Sequence, residues 1–471
     1  MLSNIKNIFS KDKKRKILIF FILFFVIISI VFSYLENNIQ KIISNEFSKK
    51  SNYTLKLDDV DFNLSGNLAF DNIIIFNTNN DTLFYSPKIT INPKSVQNAL
   101  VNNNFNFENI FIQDGLLFEE NLEDIDFLKT KLDQENNLFI RNLSLKNFKV
   151  IFNKTTTYLD FEIENFSQVD ELLNFSLFDS NVNIVDNKEI NDINADFELY
   201  DSEILISNLN FLVDSSIIKA NIIINDIDQL DSIKFSGSID NSKIISSDFI
   251  VESKSEEFIL NSNFSGNTKK ISFTDLSLNN NKMLLNADME FDIPLEKKNS
   301  QIKINFKELN SSSYELENIY PGIFGSVLPS SLKSIGNFKF YGDLSYNGDR
   351  IKSNFQLDNN DGKIYSDLEI FDFVNIDNAS YFGTFKGFNV DLSNFITLPF
   401  LGKSTFAFTI DGKGFVPELL NSQLTGKIQE LDINNYNYKN IDVSGDVSDK
   451  VFNGKLNIVD ENIEMDFIGL I

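Results

Sequence analysis

The chain has 471 residues and a formal net charge of −25, and it contains neither cysteine nor histidine. Those absences exclude disulfides, thiolate nucleophiles, imidazole bases and Cys/His metal sites. Because so acidic a chain has only three arginines, a nucleic-acid partner is excluded as well. The length exceeds one ordinary compact core, so we expect several domains or one repetitive architecture.

Charge is concentrated at the start of the chain. Residues 1–16 carry six of the 42 basic residues and one of the 67 acidic ones, and they are predicted to form a basic cytoplasmic tail. From residue 17 onward the balance is 36 minus 66, or −30. The 42% hydrophobic content is enough for a folded protein, so disorder is not expected.

Residues 17–35 are predicted to form a transmembrane anchor. From Ile17 to Leu35 there are 19 residues without a charge, and as a helix they would span about 28 Å, the thickness of a bilayer core. A cleaved signal peptide is the alternative, but its apolar run is usually shorter. Lys and Arg precede the segment in excess, so the N-terminus is predicted to be cytoplasmic and the remainder exported.

Residues 36–50 are predicted to form a short amphipathic helix. Ile39, Ile42, Ile43 and Phe47 recur at helical spacing among polar residues. We favour a helix that caps the first strands, and a helix that lies on the membrane surface is the alternative.

Beyond residue 51 the chain alternates between apolar and polar residues, which predicts strands separated by Asn, Asp, Gly and Ser turns. The first part of the sheet is predicted over 51–310 and its continuation over 336–471. Between them, 311–335 is predicted to be a helical insertion that contains Pro321 and Pro329. The fold class is therefore all-β, built from repeated antiparallel strands and hairpins.

The alternation assigns apolar residues to one face of the strands. Hairpins are predicted around Asp358–Gly362 and Asp460–Asn462, and in each the apolar residues of both strands share a face. The candidate residues of this face are Leu209, Phe211, Val213, Ile222, Ile224, Ile302, Ile304, Phe306, Phe338, Phe340, Phe355, Leu357, Phe406, Phe408, Ile463, Met465 and Phe467.

A sheet of this length cannot leave one apolar face bare without aggregating, so it must either pack on a second sheet or curl around itself. Too few helices are predicted to cover it. The residues alone leave two alternatives open, a sealed two-sheet solenoid and an elongated, curled sheet with an open apolar groove.

Motifs for catalysis or cofactor binding are incomplete. Leu401–Thr405 resembles the end of a phosphate-binding loop, but Thr397 stands where the first glycine is required. Alternating strands place acidic residues along their solvent-exposed faces, and this accounts for the 67 acidic residues without any catalytic pair. We therefore predict no enzyme activity, no cofactor and no metal.

Several segments resemble one protein family. They are Asn79–Tyr85, Leu316–Pro321, Leu328–Gly336, Asp377–Gly383 and Ile410–Phe415. Together with the anchor, the amphipathic helix and the long alternating region, they resemble the N-terminal part of TamB-type translocation and assembly module proteins. That family is related to the AsmA-like, bridge-like lipid transfer proteins.

This resemblance implies a taco-shaped sheet that is anchored in the inner membrane by one span and lies mainly in the periplasm. Its apolar groove would carry phospholipid acyl chains toward the outer membrane. An overlapping role is outer-membrane protein assembly with an Omp85-type barrel partner, which the family engages through a C-terminal region that is not present here. The alternative function is that of a sealed structural or adhesin-like surface protein without lipid transport.

The end of the chain prompts one further expectation. Ile463 to Ile471 alternates up to the last residue without a cap or turn, which predicts that the chain is the N-terminal portion of a longer protein.

Overall fold

The computed structural model describes most of the chain after residue 52. The described residues are 44, 45, 47, 53–62, 67–94, 105–118, 138–152, 155–169, 172–184, 188–200, 202–227, 232–292, 300–326, 328, 330–372, 379–394, 400–414, 420–448 and 451–470. The predicted tail 1–16 and anchor 17–35 lie outside them. Ser44, Asn45 and Phe47 of the predicted amphipathic helix are helical, and the rest of that helix lies outside the described residues. The helices that are described are all too short or too polar to cross a membrane.

The described residues are nearly all in strands, 26 in number, so the all-β prediction is confirmed. Neighbouring strands pair antiparallel, with parallel pairing only where β7 meets β5 and β6 among the described pairs. The chain forms two compact units, one of Met1–Asp201 with Asn208–Val213 and one of Ser202–Ser207 with Asp214–Ile471. β11 contributes to both units.

The first unit contains ten strands and the end of an eleventh. They are β1 (Thr54–Lys56), β2 (Asp59–Phe62), β3 (Leu68–Phe76), β4 (Thr82–Pro93), β5 (Phe105–Gln113), β6 (Leu116–Phe118), β7 (Leu138–Phe152), β8 (Thr155–Val169), β9 (Leu172–Ile184), β10 (Lys188–Tyr200) and β11 (Glu203–Val213).

Two of its strands are interrupted. β1 and β2 both pair with β3, and β5 and β6 lie between β4 and β7 as two halves of one strand. The break between β5 and β6 falls at Asp114 and Gly115, and Asp114 has a positive φ. A side chain on Gly115 would collide with the ring of Phe148, so only glycine lets the two halves pass that ring.

The second unit contains the remaining strands. They are β12 (Ser216–Asn225), β13 (Lys234–Ile245), β14 (Glu257–Asn267), β15 (Lys270–Asn279), β16 (Leu284–Asp292), β17 (Gln301–Ser312), β18 (Asn337–Asn347), β19 (Arg350–Asn359), β20 (Gly362–Phe371), β21 (Ser380–Asp391), β22 (Leu401–Lys413), β23 (Asn421–Ile433), β24 (Tyr436–Ser448), β25 (Val451–Val459) and β26 (Glu464–Leu470). From β12 to β26 each strand pairs antiparallel with the next one along the chain.

Tight turns make this meander possible. Asn434 and Asn435 both have positive φ and join β23 to β24 as a two-residue turn, the geometry that matches the twist of a hairpin. The predicted hairpin of β19 and β20 closes at the pair Asn359 and Gly362. Short connections keep consecutive strands adjacent, so the sheet of this unit grows one strand at a time.

Among the described residues after Tyr53, helices occur in the strand connections of the second unit. Ser312 is the N-cap of helix α1 (Ser313–Ile319), and its hydroxyl accepts a hydrogen bond from the backbone amide of Glu315 at 3.1 Å. Helix α2 (Ile323–Ser326) and a 3-10 helix (Ser330–Ile335) follow it within the predicted insertion 311–335. Two further 3-10 turns are Ser246–Asp248 and Leu392–Asn394.

Bulges interrupt many strands at an Asn or Asp with φ near +50°. In the second unit Asn241, Asp275 and Asn389 are examples, and the amide of each is bound by a side chain from the next strand. The donor–acceptor distances lie between 2.8 and 3.1 Å. A bulge adds one residue and bends its strand. These bulges therefore curve the sheet where they occur.

Hydrophobic contacts run along the sheet rather than between layers. One cluster joins Ile364, Val390 and Phe406 with side chains of β19 to β23, and another centres on Leu431, Ile441 and Val443 with side chains of β22 to β25. Apart from Leu392 in a connecting turn, the members come from consecutive strands. Each of these clusters is thus one face of a continuous run of strands.

Candidate functional site

The strand registers of the second unit align its apolar residues into four rows that run across the strands. Row 1 is Ile224, Phe235, Gly266, Ile271, Phe291, Ile302, Tyr346, Ile351, Ile370, Tyr381, Gly412, Ser422, Val447 and Phe452. Row 2 is Ile222, Gly237, Phe264, Phe273, Met289, Ile304, Leu344, Ser353, Leu368, Gly383, Ile410, Leu424, Gly445, Gly454 and Gly469.

Two further rows begin at β15, beyond the bulges of the earlier strands. Row 3 is Leu276, Ala287, Phe306, Gly342, Phe355, Ser366, Phe385, Phe408, Gly426, Val443, Leu456 and Phe467. Row 4 is Leu278, Leu285, Leu309, Phe340, Leu357, Ile364, Gly387, Phe406, Ile428, Ile441, Ile458 and Met465.

The four rows contain no charged residue, and together they are called the apolar face below. Row 2 crosses 15 strands from β12 to β26. At a strand spacing of about 4.8 Å, this row is about 67 Å long. The rows therefore form one uncharged surface across these strands.

The structure places most of the predicted site residues together. Twelve of them belong to the four rows, namely Ile222, Ile224, Ile302, Ile304, Phe306, Phe340, Phe355, Leu357, Phe406, Phe408, Met465 and Phe467. Phe338 lies on the same face, opposite Ser311 and Asn359. Ile463 precedes the first residue of β26, and its carbonyl accepts the Asp460 amide in the turn.

Three predicted residues belong elsewhere. Leu209, Phe211 and Val213 alternate along β11 in the part of that strand that belongs to the first unit. They share one face of their strand and are partly buried.

Sequence reasoning missed Leu276 and Ile441 of the apolar face, and also Val390, which packs against Ile364 and Phe406 of that face. A bulge before Leu276 and another before Val390 shift the alternation by one residue, so a strict period of two loses the face there. The signal that could have found them is an Asn or Asp immediately before an apolar residue within a strand.

Burial on the apolar face is uneven. Phe338 and Phe406 are buried, at 7% and 8% exposure, whereas Phe340, Phe355 and Phe408 are half-buried and Met465 is 38% exposed. Rings touch along the rows, as in Phe235, Phe264, Phe273 and Phe291, whose successive centroids are 6.4, 6.3 and 5.8 Å apart. Neighbouring side chains therefore shield one another while part of the face stays accessible.

Several hydroxyl groups on this side of the sheet are bound by the protein itself. The Ser242 hydroxyl accepts the Lys219 amide at 2.8 Å and donates to the Lys219 carbonyl, and Ser404 donates to the Glu430 carbonyl at 2.9 Å. Tyr381 and Ser422 share a buried hydroxyl hydrogen bond. Burial raises the pKa of the Tyr381 phenol and the Ser422 hydroxyl opposes that shift. These groups are thus satisfied without a ligand.

The opposite face of the same strands is charged. Lys307 contacts Asp275 and Asp288 at 2.8 Å each, and Glu290 lies between Lys270 and Lys303. Hydrogen bonds from Lys307 and Lys270 lower the pKa values of Asp288 and Glu290 respectively. These pairs are solvated and explain the carboxylates without any catalytic role.

A shallow depression of about 610 Å³ crosses β15 to β19. Most of its lining residues, such as Asp288, Lys303 and Asp343, belong to the charged face. Phe273, Met289, Ile304 and Leu344 of row 2 also line it, so the depression has residues of both faces in its wall.

Comparison with known proteins adds no relative. No protein-family model, no curated protein and no solved structure matches this chain.

Proposed function

We propose that the apolar face holds the acyl chains of phospholipids and lets them move along the sheet. In this proposal the chain is an inner-membrane-anchored periplasmic bridge that carries phospholipid toward the outer membrane, with or without a role in outer-membrane protein assembly. The observation that supports it is the absence of charge from four aligned rows on 12 or more consecutive strands. The resemblance of short segments of the chain to TamB-type proteins suggested the same role.

The energetics suit a carrier. Each CH₂ group removed from water stabilises the bound chain by about 0.8 kcal/mol, so a partly covered tail is held firmly. Every position along a row offers the same kind of contact, because the rows contain only apolar side chains, glycine and hydroxyl-bearing residues. A tail would therefore slide between positions of similar energy, and transport would need no catalytic residue.

The headgroup would remain in water. Serine and tyrosine hydroxyls on this face, such as those of Ser404 and Tyr381, are bound within the protein. The exported part also has a charge balance of −30, which disfavours an anionic headgroup. The proposal therefore predicts selection by the acyl chain and little selection among headgroups.

The test is site-specific photo-crosslinking of the full chain in cells. A photoreactive residue replaces Phe355, which is half-buried in row 3, or its exposed neighbour Asn354, which points to the other side of β19. We expect phospholipid in the Phe355 adduct and none in the Asn354 adduct, as measured by mass spectrometry.

The competing function is that of a sealed structural or adhesin-like protein. It predicts no lipid adduct at Phe355 and no phospholipid released when the purified chain is heated. Those two results together would rule out the carrier proposal.

A further inference from the structure

The glycines of the second unit are distributed unevenly between the two faces. Ten of them lie inside strands and belong to the four rows, namely Gly237, Gly266, Gly342, Gly383, Gly387, Gly412, Gly426, Gly445, Gly454 and Gly469. Glycine inside a strand weakens the sheet by about 0.5 to 1 kcal/mol. Stability alone would not place glycine repeatedly on the face that should be best packed.

At seven of these ten glycines, a phenylalanine ring atom is among the nearest neighbours that an added Cβ would meet. Gly387 is directly opposite Phe406, and a Cβ added to Gly387 would lie 2.4 Å from Cε1 and Cζ of that ring. The three nearest atoms all belong to the Phe406 side chain, so the ring lies flat across Gly387. Because the φ of Gly387 is outside the left-handed region, its backbone would accept an alanine and only the ring would have to move.

The displaced ring would have one direction open to it. Phe406 is surrounded along the sheet surface by Phe385 and Phe408, with ring centroids at 5.8 and 5.5 Å, and by Ile364 and Val390. These neighbours block sideways movement. The ring would therefore rise away from the sheet, into the space above row 4.

We propose that Gly387 sets the depth of the lipid path by allowing Phe406 to lie flat. The inference rests on the proposed function and deepens it, because it names a residue that limits how much room an acyl chain has above the sheet. With alanine at this position, the raised ring would obstruct the path at β21 and β22.

Other glycines share this arrangement but make poorer tests. Gly426 lies against the ring of Phe408 and Gly237 against that of Phe264. An added Cβ would also meet a backbone oxygen, at 2.2 Å for Gly426 and 2.0 Å for Gly237. Substitution there would disturb strand pairing as well as the ring, so Gly387 gives the cleaner result.

The experiment repeats the photo-crosslinking in cells with the full chain and the photoreactive residue at Phe355 or at Leu456. These positions lie in row 3 on either side of Gly387. Four chains are compared, namely the unsubstituted chain, Gly387→Ala, the double variant Gly387→Ala with Phe406→Leu, and Gly402→Ala. Gly402 is the matched control, because its added Cβ would meet the Asp432 side chain and no ring. Limited proteolysis reports whether each chain is folded.

We expect Gly387→Ala to lose lipid adduct severalfold at one of the two positions at least, while its protease resistance is retained. Gly402→Ala should keep the adduct, and Phe406→Leu in the double variant should restore it. Unchanged adduct in Gly387→Ala would overturn the inference, and so would a loss that Phe406→Leu does not restore. If the unsubstituted chain itself carries no lipid, the proposed function fails.

Discussion

The two units differ in the residues that shape their strands. Only two of the 19 glycines precede residue 214, whereas ten glycines line the rows of the second unit. The first unit relies on left-handed Asn and Asp bulges within its strands, at Asn72, Asn147, Asn165, Asp179, Asp192 and Asn208. The second unit has fewer in proportion to its strands, at Asn241, Asp275, Asn389 and Asn440.

This difference shows two ways to relieve crowding on one side of a curved sheet. A bulge bends the strand and turns an extra residue toward the apolar side. A glycine leaves the strand regular, and because it has no side chain, a ring from the next strand can lie over it. The second solution keeps rows in register over many strands, which a continuous lipid path requires.

The largest expected effect is a charge at a buried ring. Phe406→Asp should destabilise the second unit by about 4 kcal/mol, because Phe406 is 8% exposed and packed among apolar neighbours along the sheet. Phe355→Asp should cost clearly less, since Phe355 is half-buried, and should still abolish the lipid adduct. Denaturant unfolding of both variants measures the difference, with Asn354→Asp as the control on the charged face. Equal, large losses for Phe406 and Phe355 would indicate a sealed core.

The next largest loss of stability should follow removal of a serine hydroxyl that lies beside a bulge, and each unit contains such a serine. Ser180 accepts the Glu162 amide at 3.0 Å in the first unit, and Ser242 accepts the Lys219 amide at 2.8 Å in the second. Replacing either serine with alanine leaves a partly buried backbone amide unpaired, which should cost about 1 to 3 kcal/mol. Unfolding of Ser236→Ala, a less buried position on β13, provides the baseline. A cost no greater than that baseline would mean that the hydroxyls do not secure the bulges.

The left-handed residues themselves should contribute less. Asn165→Ala in the first unit and Asn389→Ala in the second should each cost about 1 to 2 kcal/mol, because both have φ near +54°. Asn→Gly at the same positions should cost much less, since glycine adopts this conformation freely. The difference between the alanine and glycine variants, measured by unfolding, isolates the backbone effect. If the two variants are equally stable, the bulges do not require a left-handed residue.

The smallest effect should be the pH dependence of the charged face. Lys307 and Lys270 lower the pKa values of Asp288 and Glu290, so these carboxylates stabilise the fold above their unfolded pKa. That contribution is lost as the pH falls through and below the ordinary carboxyl range, between about pH 5 and pH 3. Because the groups are solvated, the effect should be modest.

Lys307→Met should weaken this dependence, as measured by melting temperature between neutral and acidic pH. The lysine bridges Asp275 and Asp288, and without it the two carboxylates repel each other at neutral pH. An unchanged pH profile in Lys307→Met would show that the ion pairs contribute nothing measurable.

The sequence by itself determined the fold class and the strand faces of the clearest hairpins. Alternation around Phe355 and Leu357 identifies a strand, and the turn residues after Leu357 identify the hairpin that pairs Leu357 with Ile364. Both signals are local, because a strand's period is two and a tight turn fixes the register of its flanking strands. For this reason the hairpins and the faces of β17 to β19 could be predicted without coordinates.

Only the tertiary structure decided how distant strands align. The bulge at Asn389 places Gly387 and Val390 on one face although they are three residues apart, and only pairing with β22 reveals that shift. The contact of Gly387 with Phe406 likewise joins residues on different strands, and the parallel pairing of β5 with β7 joins strands that are not consecutive. Register across a sheet depends on hydrogen bonds between strands, and these are set by every bulge in between, so the local pattern cannot specify them.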